Sequence, residues 1–163
     1  KGFLYVGLMI KNNEPYLIEY NVRMGDPECQ VILPRLKTDL AKILFNAVSN
    51  SLSKIKIKWT NKKSMTIVLC SNGYPGKYKK NININNLDRI KLKNEEIIFH
   101  AGTKFINGKL VSDGGRVLNI TSIGLNFLSI RKKIISILKK IKWKNGFYRK
   151  DIGWRVINKN ANY

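Results

Sequence analysis

The sequence predicts an α+β protein in two parts: a first part over residues 1–50, a linker or edge segment over 51–63, and a small mixed α/β domain over 64–163. Three observations carry this. Two apolar runs rich in aromatic and β-branched residues open the chain and are followed by helix-period patterning. A polar, lysine-rich stretch then interrupts the apolar pattern from Asn50 to Lys63. Beyond it, strand-like runs and turn signals lead to a single long segment with apolar residues every three or four positions.

The first two runs, residues 3–10 and 15–23, flank Lys11-Asn12-Asn13-Glu14-Pro15, which is turn chemistry and predicts an antiparallel hairpin. In the second run Glu19, Asn21 and Arg23 fall on one face, while Ile18, Tyr20, Val22 and Met24 fall on the other and are expected in a core. A carboxylate, an amide oxygen and a guanidinium facing an apolar interior would be costly. Together they suit a hard divalent cation and a phosphate or carboxylate ligand. The chain then turns at Gly25, and Asp26 is expected as a helix N-cap with Pro27 at the first helical position and Glu28 in the first turn. Pro34 ends that segment, and Thr38-Asp39 predicts the cap of a second helix carrying Leu40, Ile43, Leu44, Ala47 and Val48.

In the second part, Met65–Cys70 reads as a buried strand followed by the turn cluster Ser71-Asn72-Gly73-Tyr74-Pro75-Gly76. The Asn/Ile/Lys-rich tract from Lys77 to Lys93 predicts a surface loop with short strands. Ile97–Thr103 reads as a strand ending at Gly102, with His100, the only histidine, as a hydrogen-bonded structural residue. Asn107-Gly108 marks a hairpin turn, and Val117–Thr121 another strand. Phe127, Ile130, Ile134, Ile137 and Ile141 form the apolar stripe of an amphipathic helix, with Lys132, Lys133, Lys139 and Lys140 on its solvated side. An aromatic and charged cluster, Phe147–Arg155, closes the chain, and the last few residues are expected to fray.

Lys and Arg number 31 against 10 Asp and Glu, a net charge of +21. Such a balance raises a stand-alone basic nucleic-acid-binding module as an alternative. Lys, Ile and Asn share A/T-rich codons, however, and their joint excess points to base composition before polyanion binding. The start Lys1-Gly2-Phe3 touches the RNA-recognition signature but departs from it at Leu4 and Leu8. Nucleic acid is therefore not the expected partner. Cys29 and Cys70 are too far apart for a paired-cysteine motif, so reduced thiols in the cytoplasm are expected. No apolar run approaches the ~20 residues of a membrane span.

Glu19-Tyr20-Asn21-Val22-Arg23-Met24-Gly25-Asp26-Pro27-Glu28 resembles the signature of the phosphoribosylamine-glycine ligases, or glycinamide ribonucleotide synthetases, of the ATP-grasp superfamily. Further blocks follow in the family's order: Leu36–Leu40, Gly73–Gly76, Phe99–Thr103, Gly114–Leu118 and Tyr148–Arg155. Met24 stands where the family usually has Phe, and Cys29 where Thr is common. The resemblance covers nearly the whole chain but only the C-terminal portion of a family member. It implies the C-terminal end of an ATP-grasp domain followed by the ligase's small C-terminal domain. It further implies an enzyme of purine biosynthesis that joins glycine to phosphoribosylamine at the expense of ATP, through glycyl phosphate.

Carried over by motif position, Glu19 and Asn21 would hold Mg²⁺ or Mn²⁺, and Arg23 would be catalytic, steadying the transferring phosphoryl group. Gly25 and Asp26 would meet substrate. The family's glycine-rich phosphate loop, ATP-binding lysines and phosphoribosylamine-binding domain have no counterpart in these 163 residues. The chain is accordingly expected to be a fragment or one half of a split enzyme, inactive alone and completed by an N-terminal portion as partner.

Overall fold

The computed structural model describes residues 1–159, in two compact units, Lys1–Asn61 and Lys62 onward. The frayed tail expected at the end lies outside the described residues. The division falls within the segment read as a linker. Residues of that segment are tied into the first unit, where the Lys37 amide donates to the Lys58 carbonyl, the Thr60 amide donates to the Arg35 carbonyl, and Leu36 bridges Trp59.

In the first unit, β1 (Tyr5–Lys11) pairs antiparallel with β2 (Glu14–Asn21). The turn between them is two residues long, with Asn12 and Asn13 both at positive φ, 52° and 63°. That backbone twist suits a tight hairpin, and asparagine adopts it at low cost. Six of the seven non-glycine residues at positive φ among those described are asparagines, so the Asn-rich composition also serves the turns. The expected core-facing residues of β2 are not buried: Ile18 and Tyr20 are each 63% exposed and Val22 is 88% exposed. The physical reason is that a two-stranded ribbon has two faces and needs another layer to bury either.

Helix α1 (Cys29–Ile32) starts later than the sequence suggests. Its N-cap position is Glu28, without a side-chain capping bond, and the Asp26-Pro27 peptide is cis, so neither residue has the expected helical role. Asp26 instead accepts a hydrogen bond from Gln30 Nε2 at 3.0 Å. Helix α2 (Leu40–Val48) begins at the expected cap, where the Asp39 carboxylate accepts from the Lys42 amide at 2.8 Å.

The second unit is built on a four-stranded antiparallel sheet of β3 (Lys63–Ser71), β4 (Glu96–His100), β7 (Arg116–Gly124) and β8 (Gly146–Phe147), in the order β4-β7-β3-β8. A separate hairpin joins β5 (Thr103–Ile106) to β6 (Lys109–Ser112) through Asn107-Gly108. Helix α3 (Phe127–Leu138) starts at Asn126, whose side chain accepts from the Ser129 amide, and buries Ile130, Ile134, Ile137 and Leu138. These join Met65, Ile67, Leu69, Leu118 and Ile120 in one core. Each such side chain contributes about 1.5–3 kcal/mol of burial before entropy is charged against it.

Strand β7 is buried along nearly its whole length. Its second face is polar: Thr121 Oγ1 donates to Thr66 Oγ1 at 2.9 Å, and Thr66 Oγ1 in turn donates to the Ile120 carbonyl. The final helix, α4 (Trp154–Lys159), follows a turn held by Arg131, whose guanidinium donates to the carbonyls of Ile152 and Lys150.

Candidate active site

Alternation in β2 places Glu19 and Asn21 on the same face, opposite Gly7 and Tyr5 of β1. Gly7 leaves room there for the Glu19 side chain, since a Cβ at position 7 would lie 3.1 Å from Glu19 Cγ. Neither Glu19 nor Asn21 forms a side-chain hydrogen bond or ion pair with another described residue. Their oxygens are therefore available to a ligand.

A second carboxylate joins this face. A Cβ on the buried Gly25 would meet Glu28 Oε2 at 2.3 Å, so the absent side chain is what lets Glu28 fold over the turn. The Glu28 carboxylate, burial and then Glu19 raise the Tyr5 phenol above the ordinary tyrosine range. Glu28 and Glu19 thus concentrate negative potential at one side of the hairpin. The sequence reading placed Glu28 only in a helical first turn. The signal that could have found it is Gly25, a glycine three residues ahead of an acid.

Arg23 lies two residues beyond the strand. Strand β2 ends at Asn21, so alternation does not carry Arg23 onto the face of Glu19, and its guanidinium donates to the adjacent Met24 carbonyl at 3.1 Å. The Gly25 carbonyl accepts from the Cys29 amide at 2.9 Å, closing the first turn. Burial and, second, the Asp26 carboxylate push the Cys29 thiol up, which keeps it protonated.

The donor set suits a hard cation in part. Among the described residues no group of three or more His, Cys, Asp or Glu side chains is placed to hold a metal. One carboxylate and one amide oxygen fit an ion whose remaining ligands are phosphate and water oxygens.

In the second unit the glycine-rich blocks converge at one end of the sheet. Ser71 Oγ donates to the Gly114 carbonyl at 2.7 Å, and the Asp113 amide donates to the Gly102 carbonyl at the same distance. Gly102 and Gly114 cross so closely that a Cβ on Gly102 would lie 2.6 Å from Gly114 Cα, and one on Gly115 would enter the Tyr74 ring. Gly73–Gly76, Phe99–Thr103 and Gly114–Leu118, separate in sequence, are one packed knot.

Comparison with known proteins assigns both units. Residues 1–29 match the family model described as "Phosphoribosylglycinamide synthetase, ATP-grasp (A) domain", so the hairpin and its turn are the end of an ATP-grasp domain. Residues 64–155 match "Phosphoribosylglycinamide synthetase, C domain", more than half of the chain. The chain belongs to the phosphoribosylglycinamide synthetase family, as its C-terminal portion. It is 46% identical over 156 residues to a phosphoribosylamine–glycine ligase of Agrobacterium fabrum, covering 96% of this chain and 36% of that relative. It is 44% identical over 160 residues to the chloroplastic ligase of Arabidopsis thaliana, covering 96% and 30%. The crystal structure of the Thermotoga maritima ligase superposes with a TM-score of 0.71 at 35% identity, over 93% of this chain and 37% of that one. The chain therefore spans about a third of the length of these relatives. Among the described residues no helix is long and apolar enough to cross a membrane.

Proposed function

We propose that this chain supplies the metal-binding edge and C-terminal unit of a cytoplasmic phosphoribosylamine–glycine ligase acting in purine biosynthesis. The observation that carries the proposal is the pair of uncommitted oxygen donors, Glu19 and Asn21, alternating on one strand face. In this reading they hold Mg²⁺ or Mn²⁺, which when bound offsets negative charge on the ATP phosphates. Arg23 exchanges its bond to Met24 for the transferring phosphoryl group, and Gly25 and Asp26 meet substrate from the turn. The carboxylate of glycine takes the γ-phosphoryl group from ATP, giving glycyl phosphate and ADP. The amine of 5-phosphoribosylamine then attacks the acyl carbon, forming glycinamide ribonucleotide and expelling phosphate.

The nucleotide pocket and most substrate contacts are assigned to the portion of the ligase that precedes this region in its relatives. The exposed Leu8, Ile10, Leu17, Ile18 and Tyr20 support this reading, because that portion would supply the layer the hairpin lacks. The test is complementation with the preceding portion of a relative. The chain alone is expected to form no glycinamide ribonucleotide, and the pair to form it with ATP and glycine. Glu19→Gln is expected to lower the rate at least ~100-fold, on the scale of one lost transition-state charge contact. Full activity of Glu19→Gln in the complemented pair would remove the metal assignment.

A further inference from the structure

Gln30 fixes the side chain of Asp26 in the turn that follows β2. Its Nε2 donates to Asp26 Oδ1 at 3.0 Å, and both residues are half-buried. The Oε1 atom of the same amide is buried and accepts a hydrogen bond from no described residue. Turning the amide end for end would give no relief, because Oε1 would then face the Asp26 carboxylate, an acceptor against an acceptor. A buried acceptor is thus left unpaired so that the donor stays on Asp26, an arrangement that costs stability. Nor does the bond close the turn. Backbone does that, with the Cys29 amide donating to the Gly25 carbonyl at 2.9 Å and the amides of Val31 and Ile32 donating to the Glu28 carbonyl. What Gln30 sets is the direction of one carboxylate.

In the ligase reading, on which this inference rests, Asp26 meets a substrate. ATP and 5-phosphoribosylamine are phosphate anions and repel a carboxylate, whereas glycine carries an ammonium. A carboxylate has several lone-pair directions, so the bond from Gln30 leaves it capacity for a charge-assisted bond from that ammonium. The carboxylate of glycine is the group that takes the γ-phosphoryl, so a hold on the ammonium anchors glycine by its other end. We infer that Gln30 is a positioning residue that aims the Asp26 carboxylate at the ammonium of glycine without touching substrate itself.

Steady-state kinetics of the complemented pair test it. Gln30→Met keeps an unbranched side chain of similar length and removes both polar atoms of the amide. The KM for glycine is expected to rise about tenfold, the scale of one hydrogen bond to a charged group, while kcat and the KM for ATP stay within about twofold. The urea midpoint should not fall, because the unpaired acceptor leaves together with the donor. A merely structural glutamine would lower that midpoint and move the KM of every substrate together. Asp26→Asn should raise the glycine KM at least as much, and adding Gln30→Met to it should change the KM by less than about twofold, since the two residues act through one contact. Where Gln30→Met does not assemble, Gln30→Leu replaces it. An unaltered pair that forms no glycinamide ribonucleotide would remove the ligase reading and this inference with it. An active unaltered pair whose glycine KM is unmoved by the Gln30 substitution, or in which all KM values rise alike, would overturn the inference and leave the ligase reading standing.

Discussion

Glu19 lies directly opposite Gly7 in the β1–β2 ladder, and its Cγ occupies space that a side chain at position 7 would contest from 3.1 Å. The carboxylate's position is therefore set by what its neighbour lacks.

Gly7→Ala should move the Glu19 side chain without unfolding the hairpin. A few tenths of an ångström relieve the contact, so the stability cost is expected to stay below ~1 kcal/mol, the low end for overpacking. Mn²⁺ affinity, followed by EPR on the complemented pair, should fall several-fold while the urea midpoint barely changes. Unchanged affinity would separate Gly7 from the site.

The glycines of the second unit should divide by what surrounds them. At Gly102 a Cβ meets only backbone, Gly114 Cα at 2.6 Å and the Arg116 carbonyl oxygen at 2.8 Å, which cannot rotate away. Gly102→Ala is expected to cost about 3 kcal/mol, the upper range of overpacking. Gly108 has open space around it and a φ of 73°, so Gly108→Ala should cost only the ~1–2 kcal/mol of a left-handed alanine. Urea denaturation of both variants gives the order; equal costs would contradict the close crossing.

Acid should weaken the second unit through Asp113 and Glu95. Lys104 first, then Lys80, hold Asp113 below the usual carboxylate range, and Lys62 does the same for Glu95. A carboxylate whose folded pKa is lowered stabilises the fold above its unfolded pKa and loses that contribution as pH falls through the folded value. Thermal midpoints should therefore drop below about pH 4. Asp113→Asn should flatten that slope, and high salt should diminish it, since both acids are accessible. A slope unchanged in Asp113→Asn would exclude Asp113 as a source, leaving Glu95 alone.

Much of the fold was legible because its cause is local. The 3.6-residue recurrence of Ile130, Ile134 and Ile137 marks a helix whatever it packs on, and the Asp39 cap is read within one turn. The Asn107-Gly108 hairpin follows from backbone preference alone. The Glu19 and Asn21 face was legible for the same reason, since strand alternation needs no partner. For Arg23 alternation alone is no guide, because β2 ends at Asn21 and its face is set by the turn that follows. The start of α1 was misread because Asp-Pro resembles a cap and first turn, whereas this one has a cis peptide ahead of the helix.

By itself the sequence determined the opening hairpin, helices α2 and α3, the shared face of Glu19 and Asn21 on β2 and, through its ordered blocks, the family. Tertiary structure decided what depends on residues far apart. It set β7 between β4 and β3, folded Glu28 over Gly25 toward the Tyr5 side of the hairpin, and drew three glycine blocks into one crossing. Periodicity and capping are properties of a few consecutive residues. Strand order, close backbone approach and the meeting of charges are set by packing, which no window of the chain contains.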